Sequence, residues 1–424
     1  MTQQASVTTQ EIAPEQLCIG LYVHLDLPWS AHPFTFSSFK IKDLGQIATL
    51  QSLGLERIRY SASKSDCAPL ALPPRTAEPA APPAMALADD PALKLKRERL
   101  ERMAAHHAKV AQCERELLSS GRAVKSITQN LFAKPKEAYA EASGLISGLA
   151  ASMLVDADVA IQLMADKVGG EDVYHHSLNV AILSMVLARE LKAPPAAMQV
   201  LGLGALLHDI GKADLPERVV RKSTPLTAAE AVVYQMHCEK GVAIAQAMGV
   251  GPEVRAIIEQ HHECSDGSGY PKRLSGTQLG LLVRVVALVN AYDNLVNPLD
   301  PRRALTPHEA MSVIYGQRRA QFDNLVLTTF VRSVGIYPPG TVVNLSNGTL
   351  GMVLSVNSSR PLKPTVLVYD PAIPKDGAIV VNLEEEPEVS VATTVKPADL
   401  PADVFDYLSP RRRTTYFFNT EGGT

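Results

Sequence analysis

Six of the eleven histidines in this 424-residue chain fall between His175 and His262. The stretch around them has apolar residues at helical spacing, for example Val180, Leu183 and Leu187, which predicts a set of helices. A lone histidine is usually a core or surface residue with no further role. Histidines that recur from helix to helix, each beside an apolar helix end, instead favour one shared polar site. The chain must therefore fold so that several helix ends converge.

The rest of the chain divides where its composition changes. Seven prolines between Cys67 and Pro91 predict an extended linker, because proline disrupts both helices and strand pairing. Apolar β-type runs on either side of Asn347-Gly348 predict a hairpin near the C-terminus. We expect a mainly α chain with an all-helical domain, a small α/β N-terminal unit and a small β-rich C-terminal unit. The predicted boundaries are 11–66 for the N-terminal α/β domain, 67–91 for the linker, 92–120 for a long polar helix, 122–335 for the helical domain, 338–395 for the β unit and 396–424 for the tail.

The composition disfavours several classes of protein. A net charge of −3 argues against a dedicated nucleic-acid binder, and an aromatic content of 5% argues against a base-stacking platform. Five scattered cysteines without a Cys-x-x-Cys pair argue against a disulfide framework and indicate a reducing compartment. The polar N-terminus has no signal peptide, and no apolar run approaches the roughly 20 residues of a membrane span. We expect a cytoplasmic protein with no nucleic-acid partner and no membrane insertion.

The strongest candidate for chemistry is the adjacent pair His208 and Asp209, at the end of an apolar helix. Adjacent helical residues point about 100° apart, so both can reach a large object such as a pair of metal ions. A carboxylate can bridge two ions while the neighbouring imidazole binds one of them. The alternative is a simple helix C-cap, in which Asp209 and Gly211 only end the helix.

Further histidines support the metal interpretation. His176 lies upstream of the pair, His237 lies downstream, and His261 and His262 close another apolar helix. Imidazole together with carboxylate suits iron, manganese, zinc or nickel better than magnesium or calcium. Soon after His262, the run 266–271 contains two glycines and a proline and predicts a tight loop at the rim of the site.

These residues resemble the HD-GYP subgroup of the HD metal-dependent phosphohydrolases, over about 176–330. Residues 21–41 are similar to a domain of unknown function that precedes some HD-GYP domains. The resemblance implies an all-helical domain with two or three divalent transition metal ions, often iron or manganese. It also implies hydrolysis of the bacterial second messenger cyclic di-GMP to pGpG or GMP. The motifs that carry it are His208-Asp209 with Lys212, then His261-His262-Glu263, then the GYP loop, Asp266-Gly267-Ser268-Gly269-Tyr270-Pro271.

By position, the resemblance implies a role for each motif residue. Asp209 is implied as the carboxylate that bridges two ions. Lys212 is implied as a catalytic residue near the scissile phosphate, where it stabilises charge or protonates the leaving oxygen. The implied metal ligands are His176, His208, Asp209, His237, His261, His262 and Asn290, with Asp172 at the position of a third metal ion. The implied substrate-binding residues are Asp266, Gly269, Tyr270, Pro271, Asp293, Arg302 and Arg303.

Several residues differ from those of the family, and two others allow two interpretations. Asn290 stands where the family usually has Asp, and its neutral oxygen should bind the first ion more weakly. Asp172 is one methylene shorter than the Glu of many three-metal members, and Leu299 replaces a substrate-binding Arg found in some. Arg302 and Arg303 fit a phosphate- or guanine-binding role and a solvated helix start equally well.

Three functions are open from the sequence. The first is an active cyclic di-GMP phosphodiesterase that its accessory units regulate or localise. The second is a degenerate HD-GYP protein that serves as a binding or interaction module. The third is an HD hydrolase that acts on another cyclic dinucleotide. The polar helix at 92–120 would permit a homodimer, and the N-terminal, β and GYP-loop regions are candidate surfaces for a protein partner.

Overall fold

The structure is a computed structural model, and its described residues leave out parts of the chain. They are 9–27, 31–34, 38–71, 118–155, 159–164, 172–357, 360–371, 378–386, 389–408 and 413–418, with a few single positions between. Side chains at 152–174, 301 and 413–418 are outside this description. The predicted linker beyond 71 and most of the predicted polar helix lie outside it as well. The chain divides into two compact units, each of which we describe by itself.

The N-terminal unit is a four-stranded antiparallel sheet with one helix, as predicted for a small α/β unit. The helix begins after Asp43 because the carboxylate of Asp43 accepts a hydrogen bond from the Gln46 amide. The inner face of the sheet carries Val23 and Ile58, which are buried against Leu50 of the helix. In sequence order the elements are β1 (Thr9–Ile12), β2 (Tyr22–His24), β3 (Ser38–Lys40), α1 (Leu44–Ser52) and β4 (Ile58–Ser61), and the sheet order is β1-β4-β2-β3.

The second unit is dominated by helices that share one hydrophobic core. Residues 118–130 are helical and precede the numbered set. That set is α2 (Pro135–Val155), α3 (Asp172–Glu190), α4 (Pro195–Leu207), α5 (Glu217–Val220), α6 (Ala228–Gln235), α7 (His237–Met248), α8 (Pro252–Gln260), α9 (Leu281–Val296), α10 (Pro307–Gly316) and α11 (Asn324–Val334).

Helix α4 lies inside this core, and His208 and Asp209 follow its last residue. Gly202 and Gly204 allow its close packing, because a Cβ on them would lie 2.6 Å from Ile146 and 2.5 Å from Ile257. Every residue from Leu201 to Leu207 is buried. The end of α4, where His208 and Asp209 follow, is therefore held between neighbouring helices.

The C-terminal part of the second unit is a five-stranded sheet of order β10-β6-β7-β8-β9. The predicted hairpin is present: Gly348 has a φ of 81°, and its amide donates to the carbonyl of Leu345. The predicted fold class is thus confirmed, while the domain boundaries stay predictions. The elements are β6 (Val342–Leu345), β7 (Leu350–Ser355), β8 (Thr365–Val368), β9 (Ile379–Asn382), β10 (Val391–Val395) and α12 (Ala402–Leu408).

One strand pair interrupts the helical domain. Strand β11 (Arg413–Phe418) pairs antiparallel with β5 (Val159–Met164), which lies between α2 and α3. The sequence predicted a helical domain at 122–335 and a tail at 396–424, so this strand pair was not predicted. Such a pairing joins segments far apart in the chain, so no local pattern could reveal it. Among the described residues, no helix is both long and apolar enough to cross a membrane.

Candidate metal centre

Helix ends bring the predicted histidines together around Asp209. His208 ends α4 and is fully buried, His237 begins α7, and His261 ends α8. Their ligand atoms fall into two groups, each with its atoms within 4.8 Å of one another. The first group is His176, His208 and Asp209; the second is Asp209, His237, His261 and His262.

The two oxygens of the Asp209 carboxylate face different groups. Oδ2 lies 3.2 Å from Nε2 of His208 and 3.7 Å from Nε2 of His176. Oδ1 lies 3.5 Å from Nε2 of His237 and 3.6 Å from Nε2 of His261. A carboxylate in this position can bridge two metal ions, one in each group.

The backbone fixes which ring nitrogen of three histidines faces the site. Nδ1 of His208, His237 and His261 lies 2.6–2.8 Å from the carbonyl oxygen three residues earlier in the chain. A carbonyl only accepts, so each Nδ1 donates the proton and each Nε2 presents a lone pair. These histidines are therefore held in the tautomer that binds a metal through Nε2.

The polar atoms of the cluster fit bound cations. Nε2 of His237 and Nε2 of His261 lie 3.2 Å apart, and two lone pairs at that distance repel unless a cation lies between them. Buried polar atoms without a partner are costly, and a cation would satisfy them. Those with no hydrogen-bond partner among the described residues include Nε2 of His176, His208 and His262 and Oδ1 of Asp209.

Burial and charge set the protonation states that metal binding needs. Burial lowers the pKa of His261 to about 3 and also lowers the pKa of His237 and His262. Burial would raise the pKa of Asp209, but neighbouring charge, including the Lys212 ammonium, holds that pKa well below its usual value. The neutral imidazoles of His237, His261 and His262 therefore lie around an ionised carboxylate, and these are the forms that ligate metal ions.

The structure disfavours the helix-cap alternative for Asp209, because the C-cap residue of α4 is His208. Asp209 precedes the next 3-10 turn, and its side chain makes no capping hydrogen bond there either. Its Oδ2 instead accepts from Nζ of Lys212 at 2.5 Å. Burial alone would lower the pKa of Lys212, but the Asp209 carboxylate raises it above its usual value, so Lys212 is a cation beside the cluster.

Tyr234 lies beside both Lys212 and His237, although it belongs to no motif in the sequence. Nζ of Lys212 lies 5.2 Å from the centre of the Tyr234 ring, within the range of a cation–π interaction. The Tyr234 ring lies 5.1 Å from the His237 ring, and the Tyr234 carbonyl accepts from Nδ1 of His237. Tyr234 is therefore a positioning residue for Lys212.

We expect Tyr234→Leu to lower kcat by about 3- to 30-fold, because up to about 2 kcal/mol of cation–π attraction is lost. Tyr234→Phe keeps the ring but removes the hydroxyl, which also interacts with Lys212, so it should lower kcat less than Tyr234→Leu does. The metal content and KM should change little in both variants, which separates positioning of Lys212 from a collapse of the site. Equal losses in the Phe and Leu variants would assign the effect to the hydroxyl instead.

Asp293 has a different position from the one implied for a substrate contact. Its side chain is fully buried, and its Oδ2 lies 2.6 Å from Nδ1 of His176. Its Oδ1 accepts from Asn179 and Asn297. Nδ1 of His176 therefore donates to Asp293, and its Nε2 faces the site. This geometry supports Asp293 as the residue that orients a metal ligand.

Asn290 is buried one turn before Asp293 on α9, and its Oδ1 accepts from Nδ2 of Asn294 at 2.7 Å. We expect Asn290→Asp to raise the affinity for the first metal ion or the activity by about tenfold, because a carboxylate would replace the neutral amide one turn before Asp293, the partner of His176. Titration of the metal-free variant with Mn²⁺ would measure the gain. Asn324→Asp adds the same charge at an exposed helix start and serves as the control. If Asn290→Asp changes neither quantity, another group already completes the site.

The GYP loop is anchored directly to the histidine pair. The buried carboxylate of Glu263 accepts from the amides of Lys272 and Leu274. A Cβ on Gly269 would lie 2.4 Å from the carbonyl oxygen of His262, so only glycine fits there. The Tyr270 ring stacks on His262 with a centroid distance of 4.5 Å. Tyr270 and its neighbour Pro271 therefore lie beside the second group.

The remaining predicted residues lie elsewhere or are only partly described. Asp172 begins α3, but its side chain lies outside the described part. Asp266 accepts from the amide and hydroxyl of Ser268 within its own loop. Arg302 is 87% exposed and pairs with Asp300, and Arg303 is exposed as well. No described contact joins either arginine to the histidine cluster.

Supporting residues were mostly missed from the sequence. Asn179 lies three residues after His176, and this helical spacing could have indicated a shared face. The sequence pattern indicates Gly211 only as a helix terminator. A Cβ on it would lie 1.9 Å from the His237 carbonyl oxygen, so the turn after Asp209 packs directly on the start of α7. No sequence signal marks that contact.

In this protein, the ends of several helices place histidines around one aspartate. This arrangement defines the class of HD-domain hydrolases. A family model described as HD domain matches residues 158–326, and one described as a domain of unknown function (DUF3391) matches 9–142. A cyclic di-GMP phosphodiesterase of Pseudomonas aeruginosa is 31% identical over 366 residues, 85% of each chain. The chain therefore belongs to the HD-GYP family of HD-domain phosphodiesterases.

Two further relatives match a smaller share of the chain. The cyclic di-GMP phosphodiesterase response regulator RpfG of Xanthomonas campestris is 31% identical over 149 residues, 35% of this chain and 39% of its own. The 3′3′-cGAMP-specific phosphodiesterase 1 of Vibrio cholerae is 30% identical over 174 residues, 40% of each chain. This chain spans less than half the length of these two relatives.

Proposed function

We propose that this chain is a metal-dependent phosphodiesterase that hydrolyses cyclic di-GMP to pGpG or GMP in the cytoplasm. The observation that carries the proposal is the Asp209 carboxylate, with one oxygen facing each group of histidines. The relatives named as cyclic di-GMP phosphodiesterases support the choice of substrate.

The metal ions that fit this cluster are divalent transition ions. We propose iron or manganese, because imidazole and carboxylate ligands suit them. When bound, two such ions supply Lewis acidity that activates water and neutralises phosphate charge. His176 and His208 would hold one ion, and His237, His261 and His262 the other, with Asp209 shared.

Lys212 would act on the phosphate. Water attacks phosphorus, the bond to a 3′ oxygen breaks, and the ring opens to a linear dinucleotide; a second cleavage gives two GMP. The Lys212 side chain is 20% exposed, so its ammonium can face the substrate while it pairs with Asp209. It would stabilise the negative charge on the phosphate or give a proton to the leaving oxygen.

The GYP loop would contribute to substrate binding. Asp266, Gly269, Tyr270 and Pro271 lie on the loop that Glu263 anchors, and Arg302 and Arg303 are exposed cations that could bind the second phosphate. Asp293 would contribute indirectly through His176.

Two other functions are weighed against this one. The 3′3′-cGAMP-specific relative in Vibrio cholerae makes that dinucleotide the second candidate substrate. A non-catalytic interaction module has no need for a buried histidine cluster in which the Nε2 atoms of His176, His208 and His262 have no hydrogen-bond partner among the described residues, so this cluster disfavours it.

Metal content and turnover of one anaerobically purified sample test the proposal. We expect about two equivalents of iron or manganese and release of pGpG or GMP from cyclic di-GMP, with slower hydrolysis of 3′3′-cGAMP. His208→Ala, which removes a buried ligand, is the inactive control. A sample without bound transition metal that still binds cyclic di-GMP would support the interaction module. Faster turnover of 3′3′-cGAMP would change the substrate assignment.

A further inference from the structure

Two cysteines that lie far apart in the sequence meet in the N-terminal unit. Sγ of Cys18 and Sγ of Cys67 lie 3.1 Å apart, with 49 residues separating them in the chain. Both thiols are reduced and partly exposed. Disulfide formation requires an S–S distance of about 2.05 Å, so a movement of about 1 Å would join them.

The backbone holds these two segments side by side. The amide of Asp66 donates to the carbonyl of Gly20, and the amide of Leu70 donates to the carbonyl of Gln16. Gly20 has a φ of 98°, and a Cβ there would lie 3.3 Å from Asp66 and 3.4 Å from Sγ of Cys67. These backbone hydrogen bonds and the turn at Gly20 therefore hold the two thiols close together.

We propose that Cys18 and Cys67 form a thiol–disulfide site that low-molecular-weight disulfides, such as oxidised glutathione, convert to a bridge. The thiolate of Cys67 attacks one glutathione sulfur and releases reduced glutathione. Cys18 then attacks Sγ of Cys67 and releases the second glutathione. The two protein thiols lose two electrons and two protons, and the glutathione disulfide gains them.

The bridge would fix the point where the chain leaves the N-terminal unit. The segment 65–70 runs beside 16–22, and by sequence it leads into the proline-rich stretch that begins at Pro69. Closing a 49-residue loop restricts the unfolded chain, so oxidation should stabilise this unit. The site gives the domain of unknown function a chemical property that does not depend on the proposed hydrolase activity.

The test is incubation of the full-length native protein across a series of glutathione redox ratios, followed by alkylation and peptide mass analysis. We expect a Cys18–Cys67 bridged peptide under oxidising conditions, reversal by dithiothreitol, and a melting transition of the N-terminal unit raised by roughly 10 °C. Cys238 is the internal control and should stay a thiol, because it is fully buried and an oxidant cannot reach it.

Single substitutions sharpen the test. In Cys18→Ser, Cys67 should accumulate as a glutathione adduct and the rise in melting temperature should vanish. Native protein in which both thiols remain open to alkylation at the most oxidising ratio would overturn the proposal. Stable glutathione adducts on both cysteines of the wild type, without a bridge, would overturn it as well.

Discussion

Asp209→Ala is expected to remove both metal ions and to lower the turnover of cyclic di-GMP by more than about 1,000-fold. The carboxylate of Asp209 is shared by both histidine groups, with Oδ2 at 3.2 Å from His208 and Oδ1 at 3.5 Å from His237. Its removal leaves each group without an anionic ligand and leaves Lys212 without its ion-pair partner. Metal analysis and initial rates on one anaerobic preparation would measure both effects.

Two variants control for the loss of a carboxylate. Asp214→Ala removes a carboxylate from the same turn, but Asp214 is half-exposed and pairs only with Lys240 in the described contacts, so metal content should not change. Asp209→Asn keeps the side-chain volume and loses the charge, so it should fold normally and bind metal more weakly. An Asp209→Ala protein that keeps two metal ions and wild-type turnover would contradict the bridging role.

Gly211→Ala is expected to displace His237 in the second histidine group, although Gly211 itself is not a candidate ligand. The added Cβ would lie 1.9 Å from the carbonyl oxygen of His237 and 2.5 Å from the amide of Gly241, and backbone atoms cannot move aside as a flexible side chain can. The start of α7 must shift and carry His237 with it. We expect metal affinity to fall by about 10- to 100-fold and stability by about 1–3 kcal/mol.

A glycine elsewhere in the helical domain provides the matched control. Gly144 lies within α2, and a Cβ there would meet nothing within 4 Å. Gly144→Ala should keep full metal affinity and gain up to about 1 kcal/mol of stability, because alanine favours the helix. Mn²⁺ titration and thermal melting of both variants would separate the effects. Wild-type metal affinity in Gly211→Ala would mean that α7 tolerates the shift.

The residues of the histidine cluster could be predicted from the sequence because their pattern is local. His208 and Asp209 are adjacent, His261 and His262 are adjacent, and helical periodicity places each pair at a helix end. Periodicity also indicated the fold class. The order of the motifs indicated the HD-GYP family. The Pseudomonas aeruginosa relative, which matches over 85% of each chain, confirms that family.

Contacts across the fold could not be predicted in the same way. The Tyr234–Lys212 contact, the Cys18–Cys67 pair and the β5–β11 pairing each depend on packing between segments that share no sequence pattern. Asp293 matched the family by position, but only the packing of α9 on α3 brings it to Nδ1 of His176. Local spacing therefore indicates which residues form the candidate metal centre, and tertiary packing determines which residues orient them.

The hydrogen bonds from Nδ1 to backbone carbonyls have a consequence for unfolding. Because His208, His237 and His261 each bond to the carbonyl three residues earlier, a ligand ring can turn away only if its helix end opens. Bound metal would therefore oppose the opening of three separate helix junctions at once. We expect amide hydrogen exchange at these junctions to slow together on metal binding, as one cooperative unit spanning about 205–261 of the chain.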